Sequence, residues 1–241
     1  MDRIESWLQT QDIDLRKRSR PLVSLCYAQS LDGSLTQQHG VPLALSGSES
    51  QILTHRLRAS HDAILVGIGT VLADDPQLTV RHVAGKNPQP IVLDSRLRMP
   101  LDTSLLSRHP LKPWIATTHL SDLQRRHELM AVGARLLLCE PDARGCVSLV
   151  SLLQKLAEMQ VKTLMVEGGA ATLTSFLVER LADRAVVTIA PRFVGGLPMI
   201  NRQLFAPVYS MVQAGFPRLL QTGYDACGED LIVWGDIDYG E

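Results

Sequence analysis

The sequence predicts an α/β fold: a central, mostly parallel sheet with helices on both faces, ending in a C-terminal antiparallel hairpin. Three observations predict it. Short, largely apolar runs such as 62–66 and 89–95 suit strands buried on both faces. They alternate with segments whose apolar residues recur at i, i+3, i+4 and i+7. Residues 216–237 then read as two strands around a loop. A chain of 241 residues with 45% hydrophobic and 20% charged residues can bury one large core. No internal repeat or low-complexity linker divides it, so residues 1–20 are expected to form a lead-in arm and 21–241 a single domain.

In the arm, Ile4, Trp7 and Leu8 could form one amphipathic turn, followed by the basic cluster Arg16, Lys17, Arg18 and Arg20; a solvated segment is expected. Residues 21–28 alternate as a strand, and Asp32-Gly33 signals a turn. Ser48 should cap a helix with Glu49 in its first turn, Ile52, Leu53 and Leu57 on its apolar face, and Arg56 and Arg58 at its end. Strands follow at 62–66, 89–95 and 112–118, then a helix over 121–133 stopped by glycine, and a strand at 134–139. Leu149, Leu152, Leu153 and Leu156 mark a helix over 147–159. The strand 162–166 runs into Glu167-Gly168-Gly169, then a helix with Leu173, Phe176, Leu177 and Leu181 on one stripe, then a strand at 184–191.

A formal net charge of −1 gives no overall basic field for nucleic acid, and 5% aromatic residues are too few to suggest stacking platforms. Cys26, Cys139, Cys146 and Cys227 form no C-x-x-C pair and have no His cluster, so neither a metal site nor a disulfide framework is indicated. No run approaches the roughly 20 apolar residues that cross a bilayer, and the N-terminus lacks an apolar signal core. A soluble cytoplasmic protein is expected.

Ligands bind beyond the carboxyl ends of strands in such sheets, and three clusters sit there. Glu167-Gly168-Gly169 lies between strand and helix, where glycines admit a phosphate, the helix start offers N–H groups, and Thr172 and Thr174 could add hydroxyls; an ordinary tight turn is the alternative. Asp94-Ser95-Arg96 offers an acid for a ribose or a hydroxyl and arginine for a 2′-phosphate, or is a plain polar turn. In AILVGIGTVLADDPQLTVR (63–81), Thr70 and Asp74 would share one face of a helical turn. LTVR alternates as a strand, with Thr79 and Arg81 on one face. Arg81 and Arg58 are candidate forks for a phosphate; a surface turn with a solvated arginine competes.

The stretches VSLCYAQSLDGSL, RASHDAILVGIGTVLADDPQLTVR, PIVLDSRLRMP and LMVEGGAATLTSFLVERLADRAVVTIAPRFVGG together resemble the reductase domain of riboflavin biosynthesis, in collinear order from residue 21 to about 236. That family is similar in fold to dihydrofolate reductase. The resemblance implies NADPH-dependent reduction of a ribosylaminopyrimidine 5′-phosphate to the ribitylamino compound, by a homodimer. It implies that Ala28 lines the nicotinamide side, Thr70 and Asp74 contact NADPH, Ser95 meets the adenosine end, and Gly168, Gly169, Ala170, Ala171, Thr172, Leu173, Thr174 and Ser175 wrap the pyrophosphate. Arg58, Leu78 and Arg81 would hold the substrate, Glu167 would reach its ribityl or pyrimidine part, and Glu167 and Asp74 are the catalytic candidates; Asp75 is expected to be structural. Two positions depart from the family pattern: Ser34 stands where a basic residue is usual, and Pro42 and Ala44 where Ser-x-Trp is usual. The H-x-E and P-C-x-x-C signature of the deaminase that accompanies bifunctional relatives does not occur, so a stand-alone reductase is expected. Reduction of another substrate such as a pterin, or non-catalytic binding of a phosphorylated ligand, are the competing readings.

Overall fold

A computed structural model of the chain describes residues 2–9, 18–201, 203–204 and 216–240. Among them the elements run α1 (Asp2–Gln9), β1 (Leu22–Ser30), β2 (Ser34–Thr36), α2 (Ser48–Ala59), β3 (Ala63–Gly67), α3 (Ile68–Asp74), β4 (Gln89–Leu93), α4 (Ser104–Ser107), β5 (Trp114–Thr118), α5 (Leu123–Ala131), β6 (Arg135–Cys139) and α6 (Leu149–Glu158). They continue as β7 (Thr163–Val166), α7 (Ala170–Val178), β8 (Arg184–Ala190), β9 (Leu197–Pro198), β10 (Arg218–Cys227) and β11 (Asp230–Asp238). The chain divides into two compact units, one holding the described residues up to 18, 22–54 and those from 166 onward, the other 19–21 and 55–165.

In the first unit the strand order is β10-β11-β8-β1. β1 and β8 run parallel, from Ser24 opposite Arg184 to Ser30 opposite Ala190. β8 pairs antiparallel with β11, and β11 with β10, forming the expected C-terminal hairpin. The hairpin register shifts between Leu220 and Gly223. Gly223 is needed there because a Cβ would collide with the Trp234 ring. Val23, Leu25, Leu173, Phe176 and Val186 are buried in this unit.

The second unit orders its strands β7-β3-β4-β5-β6, and the β3–β4, β4–β5 and β5–β6 pairs are parallel. The Asp62 carboxylate accepts from the Lys162 and Thr163 amides at 2.8 and 3.0 Å, which sets where β3 and β7 begin. Asp122 and Ser148 cap α5 and α6 through the amides of Arg125 and Ser151. The four leucines that predicted α6 are all buried.

Four expectations change. The LTVR stretch is not a strand: residues 76–81 make no ladder, and Leu78 turns left-handed at φ 53°. Its alternation reflects a loop with Leu78 and Thr79 buried, held by side chains rather than by a neighbouring strand. The N-terminal turn is not solvated, because Ile4 is 2% exposed and Trp7 lies under the Arg184 guanidinium, 4.6 Å from the ring centroid. Arg16 and Lys17 lie outside the described residues. Ser48 is the first helical residue rather than the cap. The Gly47 carbonyl accepts from the Gln51 amide, and the Gly47 amide is held by Asp230 of β11 at 2.8 Å, a cap supplied from distant sequence. Helix α7 stops at Val178, three residues short of Leu181, where Arg180 turns left-handed at φ 55°. The short antiparallel pair β2–β9 was not expected from the sequence; Gly196 permits it, since a Cβ there would collide with the Thr36 carbonyl.

Candidate functional site

The predicted residues fall into separate groups, and each group is set by its own local physics. In the first unit, Val166 leads into Glu167-Gly168-Gly169, and α7 starts at once. Gly169 is the N-cap residue, at φ −73° and ψ 172°, and, as a glycine, it makes no side-chain cap hydrogen bond. The first-turn amides therefore keep their hydrogen-bonding capacity and the positive end of the helix dipole. A Cβ on Gly168 would sit 3.0 Å from the Thr172 Cβ, so a side chain there would press on the first turn of α7. Uncapped donors behind a tight glycine turn fit a pyrophosphate. Ala170 is half-buried and Ala171 exposed, whereas Thr172, Leu173 and Thr174 are buried and Ser175 is half-buried.

Thr174 does not offer its hydroxyl outward. Its Oγ1 donates to the Met199 carbonyl at 3.2 Å and accepts from the Asn201 amide at 2.8 Å, so it ties α7 to the chain after β9. Glu167 is half-buried; burial, and after it the nearby Glu167 charge, raises the pKa of the Cys26 thiol, which leaves Cys26 an inert core thiol. Ala28, two residues further along β1, is half-buried opposite Thr188.

At the end of β1, Asp32 gathers its own turn. It accepts from Ser30 Oγ (2.5 Å), Ser34 Oγ (3.0 Å), the Val194 amide (3.0 Å) and the Gly195 amide (2.7 Å). Those donors hold its carboxyl well below the usual range. Ser34, the residue that departs from the family pattern, is 2% exposed, and its Oγ also accepts from the Gly196 amide at 3.0 Å. Its side chain is committed to this turn.

In the second unit, α3 follows β3 directly, so Thr70 and Asp74 lie one turn apart on a single helix, as expected. Gly69 leaves open space where a side chain would be. Asp74 is exposed as a residue, yet enough protein surrounds its carboxyl for desolvation to raise its pKa. Asp75 leaves the helix left-handed at φ 40° and accepts from the amide and hydroxyl of Ser104, both at 2.7 Å. It thus anchors the start of α4 to the end of α3.

The loop beyond is pinned at each residue. Leu78 is buried at φ 53°, a conformation that costs a non-glycine residue about 1–3 kcal/mol and persists only under external constraint. The Val80 amide donates to Asn87 Oδ1 at 2.7 Å. Arg58, 8% exposed, donates from Nη1 to the Thr79 carbonyl at 3.1 Å. The Arg81 amide donates to Nδ1 of His55 at 3.0 Å, and its Nη1 donates to Thr79 Oγ1 at 2.7 Å and to Gln77 Oε1 at 3.4 Å. The structure therefore brings Arg58, Leu78 and Arg81 together, with Arg81 exposed and Arg58 beneath the loop. Sequence reading missed His55 and His82, whose rings meet edge-on at 4.5 Å between centroids. The available signal was a histidine three positions before Arg58 on the same helix, at a spacing otherwise apolar.

Ser95 stands apart from that loop. It follows β4, whose Leu93 pairs with Gly67 at the start of α3, so it lies beyond the carboxyl ends of adjacent parallel strands. Its Oγ accepts from the Val147 amide at 2.9 Å. Asp94 is fully buried, accepts from the Met99 amide at 2.8 Å and shapes the turn. An acid so enclosed does not suit a ribose hydroxyl, the role the sequence offered for it. Arg96 is exposed.

The RibD C-terminal domain family model matches residues 21–233. The chain belongs to this family. It is 39% identical over 219 residues to the riboflavin biosynthesis protein RibD of Aquifex aeolicus, covering 90% of this chain and 58% of that protein. It thus spans little more than half the length of that RibD, and 47% of a RibD from Actinobacillus pleuropneumoniae. It is 36% identical over 187 residues to the 2,5-diamino-6-ribosylamino-4(3H)-pyrimidinone 5′-phosphate reductase of Archaeoglobus fulgidus, covering 73% of this chain and 83% of that one. Among solved structures, the RibD of Acinetobacter baumannii superposes with a TM-score of 0.78 at 27% identity, over 93% of this chain and 60% of that one. The RibD C-terminal domain family thereby supplies the fold that the sequence predicted.

Proposed function

We propose that this RibD-family chain is an NADPH-dependent reductase of a ribosylaminopyrimidine 5′-phosphate, producing the ribitylamino 5′-phosphate. The observation that carries the reading is the uncapped start of α7 behind Glu167-Gly168-Gly169, in a chain whose relatives include named 5′-phosphate reductases. The α7 amides would hold the pyrophosphate, and Thr70, Asp74 and Ala28 the nicotinamide end. Ser95 and Arg96 would hold the adenosine end, where a hydroxyl followed by an arginine favours a 2′-phosphate. The chemistry supplied by NADPH when bound is hydride donation to C1′ of the ribosyl group.

The chain's own residues orient and neutralise. Arg81 fixes the 5′-phosphate by charge-assisted hydrogen bonds, with Arg58 supporting the loop from beneath. The ribosylamine opens as its C1′–O4′ bond breaks and its N–H proton passes to O4′, leaving an imine whose nitrogen must gain one proton as C1′ is reduced. Glu167 is the group that holds that proton. Ser34, committed to Asp32, plays no part in holding substrate. We read the working form as a cytoplasmic homodimer. β10 stands last in its unit's strand order and exposes Leu220 and Tyr224, the kind of edge that proteins cover. Among the described residues no helix is long and apolar enough to cross a membrane.

Mixing protein, NADPH and the ribosylaminopyrimidine phosphate should bleach the nicotinamide absorbance, while dihydrofolate should not. Binding of the phosphorylated compound without bleaching would replace the enzyme by a ligand-binding module.

A further inference from the structure

The substrate loop is held by a residue that the reaction scheme leaves out. His55 lies on α2, 4% exposed, one turn before Arg58. Its Nδ1 accepts the Arg81 amide at 3.0 Å, and the ring also hydrogen-bonds the backbone of Thr79. It bridges two alternate residues of a loop whose neighbour, Leu78, is left-handed. Arg58 reaches the same Thr79 carbonyl. An acceptor at Nδ1 leaves the proton on Nε2, so one tautomer is selected.

We propose that His55 is a positioning residue, whose neutral imidazole clamps the backbone at 79–81 so that the Arg81 guanidinium is presented to the substrate's phosphate. The inference rests on the phosphate role of Arg81 given above. The charged and titratable groups facing His55 are Arg58, His82 and Arg81, and with burial they push its pKa down to about 4. The ring therefore stays neutral, and able to accept, at ordinary pH.

The test compares His55→Leu, His55→Asn and Arg81→Ala in steady-state assays with NADPH and the ribosylaminopyrimidine 5′-phosphate, and with its dephosphorylated form. Asn places an amide oxygen near the Nδ1 position. Losing a buried acceptor is worth roughly a ten- to hundred-fold effect. His55→Leu should raise KM for the phosphorylated substrate by about that factor, with a much smaller change in kcat, in KM for NADPH and in turnover of the dephosphorylated form. His55→Asn should recover most of the loss. Nitrogen-15 NMR of the unmodified protein should find His55 as the Nε2–H tautomer, untitrated between about pH 5.5 and 8.

If Arg81→Ala raises KM and His55→Leu does not, the positioning role is wrong. If Arg81→Ala has no effect, the phosphate reading falls first and this inference with it. Should His55→Leu not fold, the Asn variant and the NMR spectrum decide: a protonated Nδ1, or titration near pH 6.5, overturns the proposal.

Discussion

The turn at 167–175 and the loop at 75–81 present polar groups by opposite means. The turn uses backbone: β7 stops, two glycines follow, and α7 begins with its amides uncapped. The loop uses side chains: Asp75 holds Ser104, Asn87 holds Val80, and His55 and Arg58 hold the residues around Thr79. A backbone device needs only small residues in the right order. A side-chain device needs several residues, far apart in sequence, to converge. The first tolerates substitution around it and fails when a Cβ is added. The second fails when a staple is removed.

Four experiments would break or sharpen that contrast. The largest effect is expected for Glu167→Gln, which keeps the turn and removes the proposed proton donor: kcat should fall about 100-fold or more, with NADPH affinity nearly unchanged. Unaltered turnover, measured at saturating NADPH, would strike Glu167 from the catalytic residues. Arg81→Ala should lower kcat/KM for the phosphorylated substrate by about ten- to a hundred-fold and leave the dephosphorylated form little affected. An equal loss on both substrates would mean that Arg81 shapes the loop instead of meeting phosphate.

Gly168→Val should weaken NADPH binding by about ten-fold, because the added Cβ meets Thr172 and opens the turn. Unchanged affinity by titration calorimetry would show that the turn is more pliant than its packing implies.

The smallest effect is on stability against pH. The ordinary histidine value near 6.5 falls to about 4 for His55 in the folded chain. Between those values the unfolded chain binds the extra proton, so His55 makes stability fall as pH drops from about 6.5 to 4 and adds no further loss below. The pKa of His109 is also lowered by burial and contributes in the same direction. Asp32 acts at more acidic pH, since a lowered carboxyl pKa costs stability only once pH falls below the unfolded value of 3.8. Denaturation midpoints should show a shallower slope over pH 6.5–4 in His55→Leu than in the unmodified chain. Equal slopes would contradict the burial of this ring.

Much of the molecule is legible in its sequence. The leucines at 149, 152, 153 and 156, the apolar runs that became β3 to β8 and the C-terminal alternation placed nearly all long elements. Each is a local periodicity enforced by burial. Gly168-Gly169 was legible for the same reason: a glycine pair between strand and helix is a local signal. The misreadings have one origin. LTVR has the period of a strand, but period does not say whether a partner strand lies alongside, and none pairs with residues 76–81. Ser48 has the chemistry of a cap, yet Asp230, 183 residues after Gly47, holds the amide there.

Local pattern was therefore sufficient for the α/β alternation, for the Thr70–Asp74 face and for the glycine turn, because short-range sterics and burial periodicity act over a few residues. Convergence in three dimensions settled the rest: the left-handed Leu78, the His55 bridge to Thr79 and Arg81, the enclosure of Asp94 and the commitment of Ser34 to Asp32. Each depends on hydrogen-bond partners or packing neighbours that no local window weighs together, and folding supplies them only when the whole core closes.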